Sequence, residues 1–354
     1  MELTYDRLIS FDFCQRVESE IISSQDNLIF VKVFTLLSEI ESTDKFIKET
    51  PSFPGSTNKI IRDEMISAIG ATLAIEGTTL SPDEIDESFK KADLEEMLEK
   101  AQLEAENSRK VYSFIKELVF DQGDELVIDE AVIKQIHSYF TQGMNYLSNT
   151  PGEYRGEFQV TFGYPRKQSL CQNNAQVAEA MTKYVDWLND NQSGFIVGRT
   201  IPKAIMAHYY LSEIHPFGDG NGRTARAVEA LYLYKNGINN YCFWSLANFW
   251  AAHKTDYITH LGNVRETSNP IDFILWGMGG YKKELIRIKS LILKKVKQLM
   301  FMDYVRYLLR DKKNQKTKIN QRIVEVLRLL KNSDEIKVSK FINSAQVQAL
   351  YSSV

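Results

Sequence analysis

Twelve consecutive residues, His215-Pro216-Phe217-Gly218-Asp219-Gly220-Asn221-Gly222-Arg223-Thr224-Ala225-Arg226, bring together an imidazole, a carboxylate, an amide, three glycines and two guanidiniums. His215 is the group among them that can move a proton near neutral pH. Asp219 offers a hard oxygen of the kind that holds a phosphate-bridged Mg2+. Gly220 and Gly222 let the backbone bend freely and approach a ligand closely. A glycine-rich turn feeding a helix presents unpaired N–H groups and the positive end of the dipole, which together make an anion site. Arg223 and Arg226 lie three apart, so both can face one anion and fork its oxygens. The chemistry this spacing suits is the handling of a polyphosphate.

The elements that must hold such a loop are legible on either side of it. Ala204, Ala207, His208, Leu211 and Ile214 recur at helical spacing before it, and Ala225, Val228, Leu231 and Tyr232 resume that period after it. The order is helix, tight loop, helix. Taken singly, Gly-Asp-Gly-Asn-Gly also reads as a polar turn, and a His before a Pro as a plain helix end. Neither a P-loop nor a dinucleotide-binding glycine pattern is present. Taken together, the string resembles the Fic family signature H-x-F-x-[DE]-G-N-G-R-x-x-R, with every fixed position matched, and the chain is identified as a member over about residues 60–275.

That resemblance implies a mainly α fold: a Fic/Fido helical core with one short β-hairpin flap, flanked by N- and C-terminal helical regions. The expected divisions are 1–105, carrying an inhibitory helix at about 58–77; 106–275, with the flap at 151–165 and the signature loop at 215–226; and 276–354, a basic helical region. It implies transfer of AMP from ATP to a Ser, Thr or Tyr hydroxyl of a protein, with release of pyrophosphate. His215 is then the general base and Asp219 the Mg2+ ligand. Asn221, with the N–H groups around Gly220 and Gly222, forms the anion hole, and Gly218 is expected among the nucleotide-binding residues. Arg223 and Arg226 clamp the β- and γ-phosphates, and Phe217 points into the core to hold the loop rigid. Asn248 and Tyr257 are the nearest matches to an Asn and a Tyr beside the nucleoside. A phosphate-transferring relative has Lys where this chain has Gly222, so the glycine favours AMP. Transfer of UMP, phosphate or phosphocholine, removal of AMP from a protein, and a non-catalytic nucleotide- or DNA-binding regulator stay open as alternatives.

The rest of the chain supplies context. Its 354 residues are 44% hydrophobic and 25% charged with net charge −3, which suggests neither disorder nor a membrane protein. The start, Met1 to Asp6, lacks the basic and apolar regions of a signal peptide, and no apolar run is long enough to span a bilayer. Cys14, Cys171 and Cys242 are isolated, which fits a reducing cytoplasm and argues against a zinc site. A Pro/Gly/Ser break spans 50–56. After it, Asn58 to Glu76 reads as a helix with Ile61, Met65, Ile69, Thr72 and Leu73 on one stripe, stopped by Gly77. Glu76 carries the wrong charge for a helix C-terminus, so it either faces solvent or has a cationic partner elsewhere. Thr72, Glu76 and Gly77 also match the family's inhibitory motif [ST]-x-x-x-E-[GN], which implies a resting enzyme whose Glu76 occupies Arg226.

From Glu76 to Glu106 eleven acidic residues stand against three basic ones. This reads as a solvated acidic hairpin, with Ser81 capping a helix that opens on Pro82. Asp129 is a candidate cap for a helix to Phe140, and His137 within it reads as a core or surface histidine rather than a ligand. Phe158, Val160 and Phe162 alternate with Gln159 and Thr161, a half-buried strand turning at Gly163-Tyr164-Pro165. In the family this is the flap that pairs with the target segment, so Phe158, Gln159, Val160 and Thr161 are candidate target contacts, against a hairpin that merely covers the core. Phe243 to Leu261 is rich in aromatics expected mainly to pack. Lys282 to Lys331 reverses the charge balance, with sixteen basic residues against four acidic. It could meet the acidic segment across a homodimer interface. Gln321 to Tyr351 could form the first two helices of a winged-helix DNA-binding region. The protein substrate is not readable, though auto-modification is expected.

Overall fold

The computed structural model describes residues 2–310 apart from 24–26, 51–53, 95–97, 146–148, 164–166, 191–195, 197 and 239–245. The expectations placed on Tyr164-Pro165, Cys242, Phe243 and Trp244 and on Gln321 to Tyr351 lie outside the described residues. The chain divides into two compact units, Met1–Ile286 and Arg287–Val354. The described residues are mainly helical with one short antiparallel hairpin. No described helix is long and apolar enough to cross a membrane.

In the N-terminal third, α1 (Tyr5–Ser10), α2 (Phe13–Ser23) and α3 (Asn27–Glu49) lead to α4 (Pro54–Glu76), α5 (Pro82–Asp93) and α6 (Lys100–Gln122). The break before α4 is shorter than the composition suggests. Pro54 starts the helix, because the first helical position needs no N–H donor. Ile66, Ala68, Ile69 and Leu73 of α4 are buried with Ile85 and Phe89 of α5 and Ala105 and Tyr112 of α6. At the C-terminus of α4, Gly77 takes φ +98, its N–H donates to Ala74 O, and Thr78 N–H donates to Leu73 O, a paired cap that only a left-handed residue permits. Ser81 caps α5 reciprocally with Glu84, next to Pro82.

The acidic hairpin is not uniformly solvated. Glu104 and Glu106 are buried, because each has a partner: Glu106 accepts from Arg109 Nε at 2.6 Å, and Glu104 from Thr78 Oγ1 at 2.8 Å.

Next come α7 (Glu130–Thr141), capped by Asp129, the hairpin of β1 (Thr161–Phe162) and β2 (Lys167–Gln168), α8 (Asn174–Asn189), α9 (Thr200–Ile214) and α10 (Asn221–Lys235). α11 (Ala247–Ala252), α12 (Lys254–Thr267) and α13 (Ile271–Arg310) follow. α9 and α10 pack on each other, α8 covers α9, α7 lies on α10, and α4 lies against α6 and α11. The sequence pattern gives α9 one apolar stripe. The structure buries nearly all of it, Tyr209, Tyr210 and Lys203 included.

Candidate functional site

His215 is the residue that ends α9. It sits in the left-handed region at φ 50°, ψ 60°, uncommon for a non-glycine residue and costly unless neighbours compensate. Three contacts do so: its N–H donates to Leu211 O at 3.1 Å, its carbonyl accepts from Arg155 Nε at 2.9 Å, and Nδ1 lies 3.1 Å from Ser212 O. A carbonyl only accepts, so Nδ1 carries the proton and the lone pair is on Nε2. Phe162 stacks on the ring at 4.1 Å and 5°. Burial pushes the pKa of His215 down to about 4 and the charge of Arg155 adds to this, against the Ser212 contact and the charge of Glu76. At neutral pH His215 is an uncharged base.

The loop is held from beneath. Phe217 is fully buried, worth about 2 to 3 kcal/mol of apolar transfer, and stacks on His137 at 3.7 Å and 4°. Gly152 N–H donates to His137 Nδ1 at 3.0 Å, so the remaining proton is on Nε2, which donates to Asp219 O at 3.0 Å. Buried and pushed down to about 4 chiefly by desolvation, His137 is a neutral brace between two loops. Asn221 bonds Phe217 twice, accepting from its N–H and donating to its carbonyl, both at 2.9 Å. Its side chain therefore staples the loop, with both ends of the amide engaged by Phe217. Gly220, at φ +75, starts α10; a Cβ there would come within 3.2 Å of Thr141. Asp219 Oδ1 accepts from Gly220 N–H at 2.5 Å and from Arg223 at 3.1 Å.

Both arginines of α10 are buried and held by carboxylates. Arg223 has Asp219 at 3.1 Å and Glu104 at 3.9 Å. Arg226 donates from Nε to Thr72 Oγ1 at 2.8 Å and from a terminal nitrogen to Glu76 Oε1 at 2.6 Å. Burial opposes ionisation of Glu76, but the charge and hydrogen bond of Arg226, then the charges of Arg223 and Lys254, hold its carboxyl below the usual range. Glu76 Oε1 also lies 2.6 Å from where a Cβ on Gly222 would be.

A cleft of about 420 Å³ opens between these groups, lined by His215, Gly222, Arg226, Glu76, Phe162 and Lys167, and by Tyr257 to Thr259 and Leu261 to Glu266 save Val264 on α12. The hairpin forms one wall, with Thr161 opposite Gln168 and Phe162 opposite Lys167. A magnesium ion bridged to phosphates asks a protein for one or two carboxylates, not a cage. Asp219, with its side chain 44% exposed beside the start of α10, fits that demand. No cluster of three or more His, Cys, Asp or Glu among the described residues would form a cage.

Residues 127–233, which contain the hairpin, α9, the loop and most of α10, match the Fic/DOC family. This segment is a Fic/DOC family domain. The chain is 33% identical over 121 residues to protein adenylyltransferase fic-1 of Caenorhabditis elegans, 34% of this chain and 22% of that protein. It is 31% identical over 122 residues to a probable protein adenylyltransferase of Aquifex aeolicus, 34% of each chain. The chain thus spans about a fifth to a third of these relatives. A Fic family protein from Desulfovibrio desulfuricans shares its fold with TM-score 0.59 at 20% identity, covering 73% of this chain and 74% of that one.

Of the signature residues, His215, Gly222 and Arg226 line the cleft, and Glu76 reaches it from α4; Asp219, bonded to Arg223 at 3.1 Å, Gly220, and Thr72, bonded to Arg226 at 2.8 Å, stand beside these groups outside the lining. Asn248 is not in the cleft lining; its Oδ1 accepts from Ser67 Oγ at 3.1 Å, between α11 and α4. Asn263 on α12 lines the cleft instead. Tyr257 also lines it, but its hydroxyl is spent inward on His208 at 2.7 Å rather than on a nucleoside. The sequence gives no sign of what Arg155 contacts. Buried, it bonds His215 O, Phe158 O, Ser169 Oγ and Cys171 O, while its N–H donates to Pro216 O. One guanidinium thus ties the flap to the loop. Arg265 does similar work, donating to Gln168 O at 2.5 Å and to Glu213 at 3.3 Å.

Proposed function

We propose that this chain transfers AMP from ATP to a protein hydroxyl, the activity for which its relatives are named, and that it rests inhibited by Glu76. The observation that carries the reading is His215: its proton is pinned on Nδ1 by Ser212, so Nε2 is a base at the wall of a cleft that also holds Arg226. Phosphoryl-type transfer asks for positioning and charge neutralisation more than for covalent chemistry by the protein. An acceptor Ser, Thr or Tyr oxygen would bond the α-phosphorus as its proton passes to His215 Nε2. The bond from that phosphorus to the bridging oxygen breaks, and pyrophosphate leaves. Arg223, Arg226 and the N–H groups at the start of α10 would offset the charge on the leaving group. Asp219 would hold Mg2+, which supplies further charge neutralisation when bound.

Glu76 occupies the guanidinium that the γ-phosphate needs, so ATP in the resting enzyme would be displaced from its productive pose. The target segment would pair with the outward edge of β1, and the chain itself is a ready first target. Incubation with α-labelled and, separately, γ-labelled ATP tests the reading. Label should reach protein from the α position alone. Transfer from the γ position would make the reaction phosphorylation, and no transfer by the Glu76→Gly variant would leave a nucleotide-binding regulator.

A further inference from the structure

The imidazole of His215 must carry a positive charge once it takes a proton, and its hydrogen-bond partner is not an anion. Nδ1 faces the carbonyl of Ser212 at 3.1 Å, where a catalytic pair would often have a carboxylate. Burial and the charge of Arg155 both oppose the charged form, while the charge of Glu76 favours it. In the proposed switch Glu76 leaves the cleft when the enzyme turns on, so that favourable charge is missing at the moment of transfer.

What lies on the imidazole is the ring of Phe162, with centroids 4.1 Å apart and planes at 5°. The lone pair of Nε2 lies in the plane of the imidazole, so an aromatic face above it leaves the edge open to a hydroxyl. Both residues line the cleft. Two neutral rings stacked face to face gain little electrostatically. A cation over the same face is attracted by the negative part of the ring quadrupole, more strongly away from water. The contact therefore strengthens as the proton arrives, which is the property that accelerates a step. A second cation, the guanidinium of Arg265, lies 5.8 Å from the Phe162 centroid, at the edge of the range for such attraction. His215, closer to the ring, feels its face more strongly.

The flap fixes where this ring sits. Phe162 ends β1 opposite Lys167, whose amine pairs with Glu266 of α12 at 3.0 Å. Arg155 bonds the carbonyls of both Phe158 and His215, so the segment that carries the ring and the loop that carries the base share one anchor.

We infer that Phe162 is a positioning residue of the flap, whose ring face holds the His215 imidazole in plane and stabilises the imidazolium it becomes on taking the acceptor's proton. This rests on the adenylyl-transfer reading in which His215 is the base. The proton passes from the acceptor oxygen to Nε2 as that oxygen bonds the α-phosphorus, and it leaves to water afterwards. In that reading β1 is also the strand that pairs with a target segment, so a docked target settles the ring and the base together.

The test uses the full chain carrying Glu76→Gly, with ATP affinity from calorimetry and kcat for auto-transfer at saturating ATP. Phenylalanines bearing one, two and three ring fluorines at position 162 keep the shape and weaken the negative face step by step. kcat should fall with each fluorine, on the order of tenfold over the series, with ATP affinity unchanged. Phe162→Leu, which keeps an apolar cover without a face, should fall by a similar factor, and Phe162→Tyr should recover most of that loss. A kcat flat across the fluorine series would overturn the inference, because shape alone would then explain the contact. Loss of ATP affinity in step with kcat would overturn it too, as the mark of a collapsed flap. Transfer surviving in His215→Ala would remove the base and the inference with it, whereas transfer abolished there beside a flat series overturns the role of Phe162 alone.

Discussion

Glu76, the last residue of α4, meets the buried guanidinium of Arg226 at 2.6 Å across a sequence separation of 150 residues. The carboxylate is 40% exposed and the guanidinium 2%, so the pair is open to water on one side only. In the proposed switch the pair acts through what else Arg226 can bind. Glu76→Gly is expected to raise auto-labelling from α-labelled ATP by about tenfold or more, and Arg226→Ala in that background to lower it again. Equal labelling by Glu76→Gly and the parent would end the switch reading.

Gly222 is coupled to the same carboxylate. A Cβ there would come within 2.6 Å of Glu76 Oε1 and 3.2 Å of an Arg226 nitrogen. Gly222→Ala should therefore displace Glu76 and lower the melting temperature, and adding Glu76→Gly should recover most of that loss. A double-mutant cycle in thermal melting measures the coupling. Strictly additive losses would mean that the clash is relieved elsewhere.

His215 lies well below its ordinary range, at about 4, mainly through burial. It is thus ready as a base across neutral pH, and the acid limb of kcat/KM should fall at about pH 4 rather than near 6.5. His215→Ala should lose transfer by about a hundredfold or more with ATP affinity retained. An acid limb centred at 6.5 would show that His215 is solvated when it acts.

The hairpin register chooses the residue with which to test the flap. Ser169 N–H donates to Val160 O at 2.8 Å, so the peptide groups of Val160 and Phe162 face β2 and that of Thr161 faces outward. On β2 the outward carbonyl of Gln168 is already taken by Arg265. The outer edge of β1 is then the one for a target strand. Thr161→Pro, which removes an outward donor, should reduce modification of a protein target severalfold without altering ATP affinity. Val160→Pro should instead damage the hairpin itself, and parallel loss of both properties in Thr161→Pro would mean the same for that position.

Glu213 is buried beside Arg265, and burial pushes its carboxyl up to about 7 against the charges of Arg265 and Lys167. A raised carboxyl pKa favours the folded state while the group is protonated. Its contribution is complete below the ordinary 4.5 and is lost as pH rises through about 7. Glu213→Gln should flatten the pH dependence of unfolding free energy across that window, removing on the order of 3 kcal/mol of slope-integrated change. An unaltered profile would mean that Arg265 keeps Glu213 ionised throughout.

The loop between α9 and α10 was written in the sequence because its constraints are local. Glycines where the backbone must turn, a proline after the last helical residue and arginines one turn apart all act within twelve residues. The caps of α5 and α7 at Ser81 and Asp129 were legible for the same reason, as was the stop at Gly77. The chemistry of Glu76 showed by itself only that its charge is misplaced on a helix end, and the likeness to the family's inhibitory motif supplied Arg226 as its partner. That Arg226 answers it depends on α4 packing beside α10, which no local pattern encodes. Asn221 shows a further case: both ends of its amide reach Phe217, a contact its type did not announce, since the loop closes tightly enough for one side chain to span it. Arg155 and Arg265 carried no sign of their partners, and Tyr257 only the family likeness that set it beside a nucleoside. Each is an ordinary residue on an ordinary period, and each matters because partners from other helices arrive at hydrogen-bonding distance in a place without water. Only the tertiary structure decides that, because burial and proximity of residues far apart in sequence are properties of the packed chain.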